Sequence, residues 1–128
     1  MSLRSPIGRA RGLGAAHDGT GHWWAQRLTA IALIPLTFVL VAVIAAAQGL
    51  DRAGFAALMG EPVVAIGMLL LVIAGFHHLR LGVQVVIEDY VHHEGLKTAG
   101  LIALSLGAYG LAVAVAFAIL KLAFLGAS

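Results

Sequence analysis

Cysteine is absent from this chain of 128 residues, so it forms no disulfide and ligates no iron–sulfur cluster. Charge is scarce, with Asp, Glu, Lys and Arg making up 11% of the residues. No Walker loop, dinucleotide fingerprint, nucleophile elbow or zinc-binding helix motif occurs, which removes the commonest stand-alone enzyme classes. What is present is apolar: 61% of the residues are hydrophobic, and mean hydropathy is +0.99. A soluble domain of this size has too little interior to hide that much apolar surface. The net charge of +2 and isoelectric point near 9.5 would suit nucleic acid in a soluble protein. In a chain this apolar the basic residues report membrane orientation instead, and no nucleic-acid partner is expected.

The few charges leave long gaps, at residues 28–50, 62–79 and 98–120. Each gap approaches the ~20 residues that a spanning helix needs. The expected fold is therefore an all-α membrane protein with three transmembrane helices, at about 26–48, 62–90 and 98–124, in a single anchor domain covering 1–128. The first gap begins too late and runs too long for a signal peptide. Residues 1–24 read as a Gly- and Arg-rich arm, ending at the interfacial pair Trp23-Trp24. Pro35 removes one backbone donor from helix one and bends it slightly. Between helices one and two, Phe55 to Met59 have the makings of one amphipathic turn at the outer surface. Helix three carries a small-residue stripe, Ala103, Gly107, Gly110 and Ala114, of the kind that lets helices approach closely.

Six of the eight Lys and Arg residues (Arg4, Arg9, Arg11, Arg27, Arg80 and Lys97) lie at one side, and only Arg52 and Lys121 at the other. The positive-inside rule then puts the N-terminus inside and the C-terminus outside.

The chemistry concentrates on helix two. His78, Gly82, Val85 and Asp89 sit at i, i+4, i+7 and i+11, on one face. His78 lies roughly 16 Å below Asp89 along the axis. An imidazole in a membrane helix can simply hydrogen-bond a neighbouring helix, but at that depth it is costly unless something holds it. Gly75 and Gly82, one turn to either side, clear room for something flat and wide. A haem fits, with a neutral imidazole as iron ligand and a second axial ligand from another chain. His77 points about 100° away and is the weaker candidate. Arg80 reads as snorkelling or paired with a partner carboxylate. Arg27 is the better contact for a haem propionate or a quinone headgroup, although a plain positive-inside arginine looks the same.

Glu88 and Asp89 stand where the helix dipole disfavours negative charge, so they need a partner cation or a proton-handling task. Tyr90 is either an aromatic-belt residue or a donor to the carbonyl oxygen of a lipid-soluble substrate, with Asp89 supplying protons. His92, His93 and Glu94 have metal-ligand chemistry, but adjacent loop histidines are ordinarily solvated. With polar groups on its middle helix, the chain makes a poor stand-alone bundle, and a membrane partner is the natural cover for Gly75, His78 and Gly82.

The segment Gly21-His22-Trp23-Trp24-Ala25-Gln26-Arg27-Leu28-Thr29-Ala30, followed by His78-x3-Gly82-x-Gln84-Val85-x3-Asp89-Tyr90-Val91, resembles the hydrophobic membrane anchor subunits of succinate dehydrogenase (respiratory complex II). The likeness covers nearly the whole chain, and its second motif is the more specific. It implies that His78 is one axial ligand of haem b, the iron being shared with a cytochrome b556 membrane subunit. It implies that Tyr90 and Asp89 belong to the ubiquinone site, and that Arg27 lies near the haem propionates. It also implies an iron–sulfur subunit and a flavoprotein as further partners, membrane lipid around the bundle, and a bacterial or mitochondrial inner membrane. In that setting the chain has no chemistry of its own and serves the tricarboxylic acid cycle and electron transport. The rival readings are the anchor of another quinone-linked b-type cytochrome complex, such as a fumarate reductase, and a non-redox membrane scaffold or transporter subunit.

Overall fold

The structure, a computed structural model, describes Ile7 and residues 16–126. The expected inner-side arm lies outside the described residues over 1–6 and 8–15, and its remainder over 16–24 is helical. From there the described residues form α1 (Ala16–Ala46), α2 (Arg52–Gly60), α3 (Pro62–Tyr90) and α4 (Glu94–Gly126). Three of them, α1, α3 and α4, are long and apolar enough to cross a membrane.

The ends follow local chemistry. Pro62 opens α3, where its missing N–H costs nothing. The Val91 N–H caps the other end on the Ile87 carbonyl at 3.0 Å. α3 therefore has the expected bounds. α1 starts ten residues ahead of the hydrophobic period and runs unbroken through Pro35. Hydropathy marks where a helix meets hydrocarbon, whereas the backbone gains nothing by leaving the helix at that boundary. α4 likewise starts at Glu94, an acidic residue suited to the positive end of the helix dipole.

The turn after α1 needs Gly49, whose φ of +77° is the only positive φ among the described residues. The amphipathic turn expected at Phe55 to Met59 is a nine-residue helix, capped by the Asp51 carboxylate on the Gly54 N–H at 2.8 Å.

The central helix is α3, packed along both α1 and α4, with α2 against α4 and α3. Val39 meets Gly67, Leu33 lies beside Gly75, and Thr29 meets His78, so α1 and α3 run antiparallel. The close approach at Gly67 requires glycine: an added Cβ would stand 2.9 Å from Val39 Cγ1.

Among the described residues the clustered core is Val43, Met59, Val72 and Ile119, with Phe55 and Leu58 of α2 packed against it. Met59, at 2% exposure, is the most buried of them. Elsewhere large apolar side chains of all three long helices are exposed, as they must be where lipid or another membrane chain is the solvent. The small-residue stripe on α4 is exposed too, and a Cβ added at Gly107 or Gly110 meets nothing within 4 Å. Within this chain α4 uses a different face, with Ala108 and Ile119 buried and Ala112 packed on the core.

Candidate functional site on the α1–α3 seam

α1 carries a polar stripe, His22, Gln26 and Thr29, at i, i+4 and i+7. Gln26 and Thr29 of this stripe meet His78 on α3. Thr29 Oγ1 stands 2.9 Å from His78 Nδ1, and the Gln26 side-chain amide stands 3.5 Å from His78 Nε2. Thr29 is itself anchored, its hydroxyl lying 2.8 Å from the Ala25 carbonyl and 3.1 Å from that of Gln26. Gln26 Oε1 and His22 Nε2 are buried without a hydrogen-bond partner among the described residues. A buried polar atom left unpaired costs on the order of 1–3 kcal/mol. Among the described residues the polar stripe of α1 is therefore left partly unsatisfied.

The two flanking glycines differ. Gly75 is roomy, with Leu33 Cδ2 at 4.0 Å from an added Cβ, whereas the space over Gly82 is taken by Gln26 Nε2 at 3.6 Å. Gln26 is long and flexible, so a flat ligand beside Gly82 displaces a movable side chain and no backbone.

His77 points elsewhere, onto an apolar groove of about 470 Å³ between α1 and α3, lined also by Thr29, Pro35 and Ile73. Arg80, two residues on from His78, turns to α4. Its Nε donates to Ser105 Oγ at 3.2 Å, and its guanidinium lies 5.5 Å from the Tyr109 ring centroid. This intramolecular clasp ties α3 to α4 at the level of His78.

Arg27 is exposed on a different face of α1, with its guanidinium 5.5 Å from the Trp23 ring centroid. Trp23 and Trp24 stack at 5.8 Å. Arg27 is thus near the seam in sequence, but its charge stands over the tryptophan.

The end of α3 forms a second, open cluster. Glu88 accepts from the Gln84 side-chain amide at 2.8 Å, a local partner for a carboxylate at the wrong end of the dipole. Asp89 is exposed, and Tyr90 is 77% exposed. In the connection to α4, His92 Nδ1 lies 3.1 Å from the Tyr90 carbonyl, and His93 Nδ1 accepts the Leu96 N–H at 3.4 Å. Both histidines are exposed, and no three metal-ligating residues gather among the described residues.

Of the residues singled out in the sequence, the fold brings His78, Gly75 and Gly82 onto one seam with α1. It keeps Asp89 and Tyr90 together at the helix end and leaves Arg27 outside both groups. Gln26 and Thr29 carry no assigned role from sequence alone. Their signal is an amide and a hydroxyl three residues apart in an apolar span.

Comparison with known proteins gives the same direction. The family of succinate dehydrogenase/fumarate reductase transmembrane subunits matches residues 1–120. A succinate dehydrogenase hydrophobic membrane anchor subunit from Paracoccus denitrificans is 38% identical over 99 residues, 77% of each chain. One of the same description from Rickettsia bellii is 35% identical over 104 residues, 81% of this chain and 83% of the relative. A third, from Rickettsia conorii, is 28% identical over 106 residues, 81% of this chain and 83% of the relative. No solved structure matches at comparable significance. With its three apolar helices, this chain is a multi-pass inner-membrane protein that belongs to the family of succinate dehydrogenase/fumarate reductase transmembrane subunits.

Proposed function

We propose that the chain is the hydrophobic anchor of succinate:quinone oxidoreductase, holding one haem b through His78 and contributing Asp89 and Tyr90 to the ubiquinone site. A cytochrome b556 membrane subunit would hold the same haem from the other side of the shared site. The flavoprotein oxidises succinate, and the iron–sulfur subunit passes the electrons on to quinone. Relatives named as succinate dehydrogenase anchors favour this over a fumarate reductase, although the family takes in both. A non-redox scaffold or transporter subunit does not fit that membership.

The observation that carries the haem reading is the unsatisfied seam. His78 Nε2 meets only a Gln26 amide at the outer limit of a hydrogen bond, and Gln26 Oε1 beside it is buried and unpaired. An imidazole whose Nε2 is held only by a long contact to a movable amide, flanked by glycine, suits an iron ligand facing a flat macrocycle. Bound there, haem b supplies one-electron transfer inside the membrane. The chain's part is to present His78, to exclude water with the apolar walls of α1 and α3, and to yield space at Gln26. At the end of α3, the Tyr90 hydroxyl donates to a quinone carbonyl oxygen, while Asp89, at the water interface, passes protons to the reduced oxygens. Arg27 would neutralise a propionate only by leaving Trp23, a cation–π contact of about 0.5–1 kcal/mol at an exposed site.

The test is spectroscopic, on the complex purified from membranes. His78→Ala loses or severely perturbs the six-coordinate haem b spectrum, whereas His77→Ala largely retains it. The reverse pair of results would move the ligand to His77 and its groove.

A further inference from the structure

Resting on the haem reading of His78, we infer that Thr29 is a positioning residue for that ligand. Its hydroxyl accepts the His78 Nδ1–H and so holds Nε2 bare and aimed for the iron.

Proton counting sets the direction of these bonds. Thr29 Oγ1 has one proton and three close neighbours: the Ala25 carbonyl at 2.8 Å, the Gln26 carbonyl at 3.1 Å and His78 Nδ1 at 2.9 Å. Were that proton spent on Nδ1, the oxygen would face two carbonyl oxygens at contact distance with no hydrogen between them. Spent on the Ala25 carbonyl, it leaves the Thr29 lone pairs free, and Nδ1–H donates to them. The bonds then run in the order His78 Nδ1–H to Thr29 Oγ1–H to Ala25 carbonyl, the nearer of the two carbonyls, and one oxygen–oxygen contact without a hydrogen remains instead of two. A neutral imidazole protonated at Nδ1 carries its lone pair on Nε2, the nitrogen that meets only the loosely held Gln26 amide. Metal-bound histidines ordinarily have their second nitrogen held in this way by an acceptor, which orients the ring and raises its basicity.

Thr29 is well suited to the task because it is pinned. Its β-branched side chain has few rotamers in a helix, and the back-bond to Ala25 selects one of them. The acceptor is therefore a fixed point on α1, and the ring of His78 on α3 is referenced to it across the seam.

The experiment compares Thr29→Val, which keeps the shape and deletes the acceptor, with Thr29→Ser, which keeps the acceptor. Both are measured in the intact complex for haem content, optical redox titration and low-spin ferric electron paramagnetic resonance. Removing the acceptor makes the imidazole a poorer electron donor and destabilises ferric iron. The expected result for Thr29→Val is retained haem, altered g-values and a midpoint potential raised by up to a tenfold change in the ferrous-to-ferric ratio, about 59 mV for one electron. Thr29→Ser restores the wild-type values. Loss of haem in Thr29→Val with retention in Thr29→Ser supports the same role. Unchanged potential and g-values in Thr29→Val, or equal loss of haem in both variants, overturns it. His78→Ala, run in parallel, separates the two layers. If it keeps the wild-type haem spectrum, the ligand reading itself has failed. If it loses haem while Thr29→Val changes nothing, only the positioning role falls.

Discussion

Tyr90 shows how much a single residue is asked to do. It is 77% exposed at the last turn of α3, with the exposed Asp89 beside it in sequence. A phenol there offers one neutral hydrogen bond, worth about 0.5–1.5 kcal/mol net, so its removal costs at most roughly an order of magnitude in rate. Tyr90→Phe is expected to lower quinone-linked succinate oxidation by up to about tenfold. Turnover with an artificial acceptor at the flavoprotein should be unchanged, because that route bypasses the membrane. Asp89→Asn is expected to slow the same quinone-linked step. Joint loss of both activities in either variant would mean that the residue holds the complex together, and the quinone-site role would be abandoned. Glu88 makes a useful contrast, since Gln84 already satisfies its carboxylate locally and Glu88→Gln should leave quinone reduction near wild type.

At the scale of elements, the α1–α3 seam depends on one notch. Gly67 lets Val39 approach so closely that an added Cβ would fall 2.9 Å from Val39 Cγ1. Valine is stiff at χ1 in a helix, so it cannot swing clear, and the helices must part. Overpacking of this kind costs typically about 1–3 kcal/mol, set against about 1 kcal/mol of better helix propensity for alanine. Gly67→Ala is accordingly expected to be neutral to destabilising, by up to about 2 kcal/mol, and to loosen Thr29 and His78 further along the same seam. Thermal loss of the haem absorbance is the measurement, and an unshifted midpoint would show that the notch is not a constraint. Gly107→Ala, facing open space within the chain, should leave the α3–α4 packing as it is. A loss of complex assembly in that variant would identify the α4 stripe as a contact with another membrane subunit.

For the whole molecule, the distribution of burial is uneven. The clustered core lies at the α2 end, while around His78 and Tyr90 the described residues bury little besides Leu81 and Ala108. Such a chain holds itself together at one side and leaves the functional side to be completed by others. Copurification in mild detergent should therefore bring a flavoprotein, an iron–sulfur protein and a second membrane subunit; recovery of the chain alone with haem would contradict a shared site. The bias of Lys and Arg predicts the topology. A reporter fused after Ser128 should be active only if it works outside, and an inner-side signal would overturn either the helix count or the orientation.

The class of molecule and most of its frame are legible in the linear chain. Three charge-free gaps of spanning length specify three membrane helices whatever they pack against, because hydrocarbon accepts no unpaired backbone. Pro62 at one end and the polar run after Ile87 at the other bound α3 correctly. The face shared by His78, Gly75 and Gly82 follows from helical periodicity alone. Other features depend on relations between distant residues. The start of α1 is hidden because hydropathy reports the lipid boundary and the helix passes beyond it. The contacts of Arg80 are of this kind, since Ser105 and Tyr109 lie 25 and 29 residues away. Thr29 is invisible as a partner of His78 across 49 residues, since only the antiparallel register of α1 against α3, set by the notch at Gly67, brings the hydroxyl to the imidazole. Local pattern dictates which side chains share a helix face, and only the packing of one helix on another decides which faces meet.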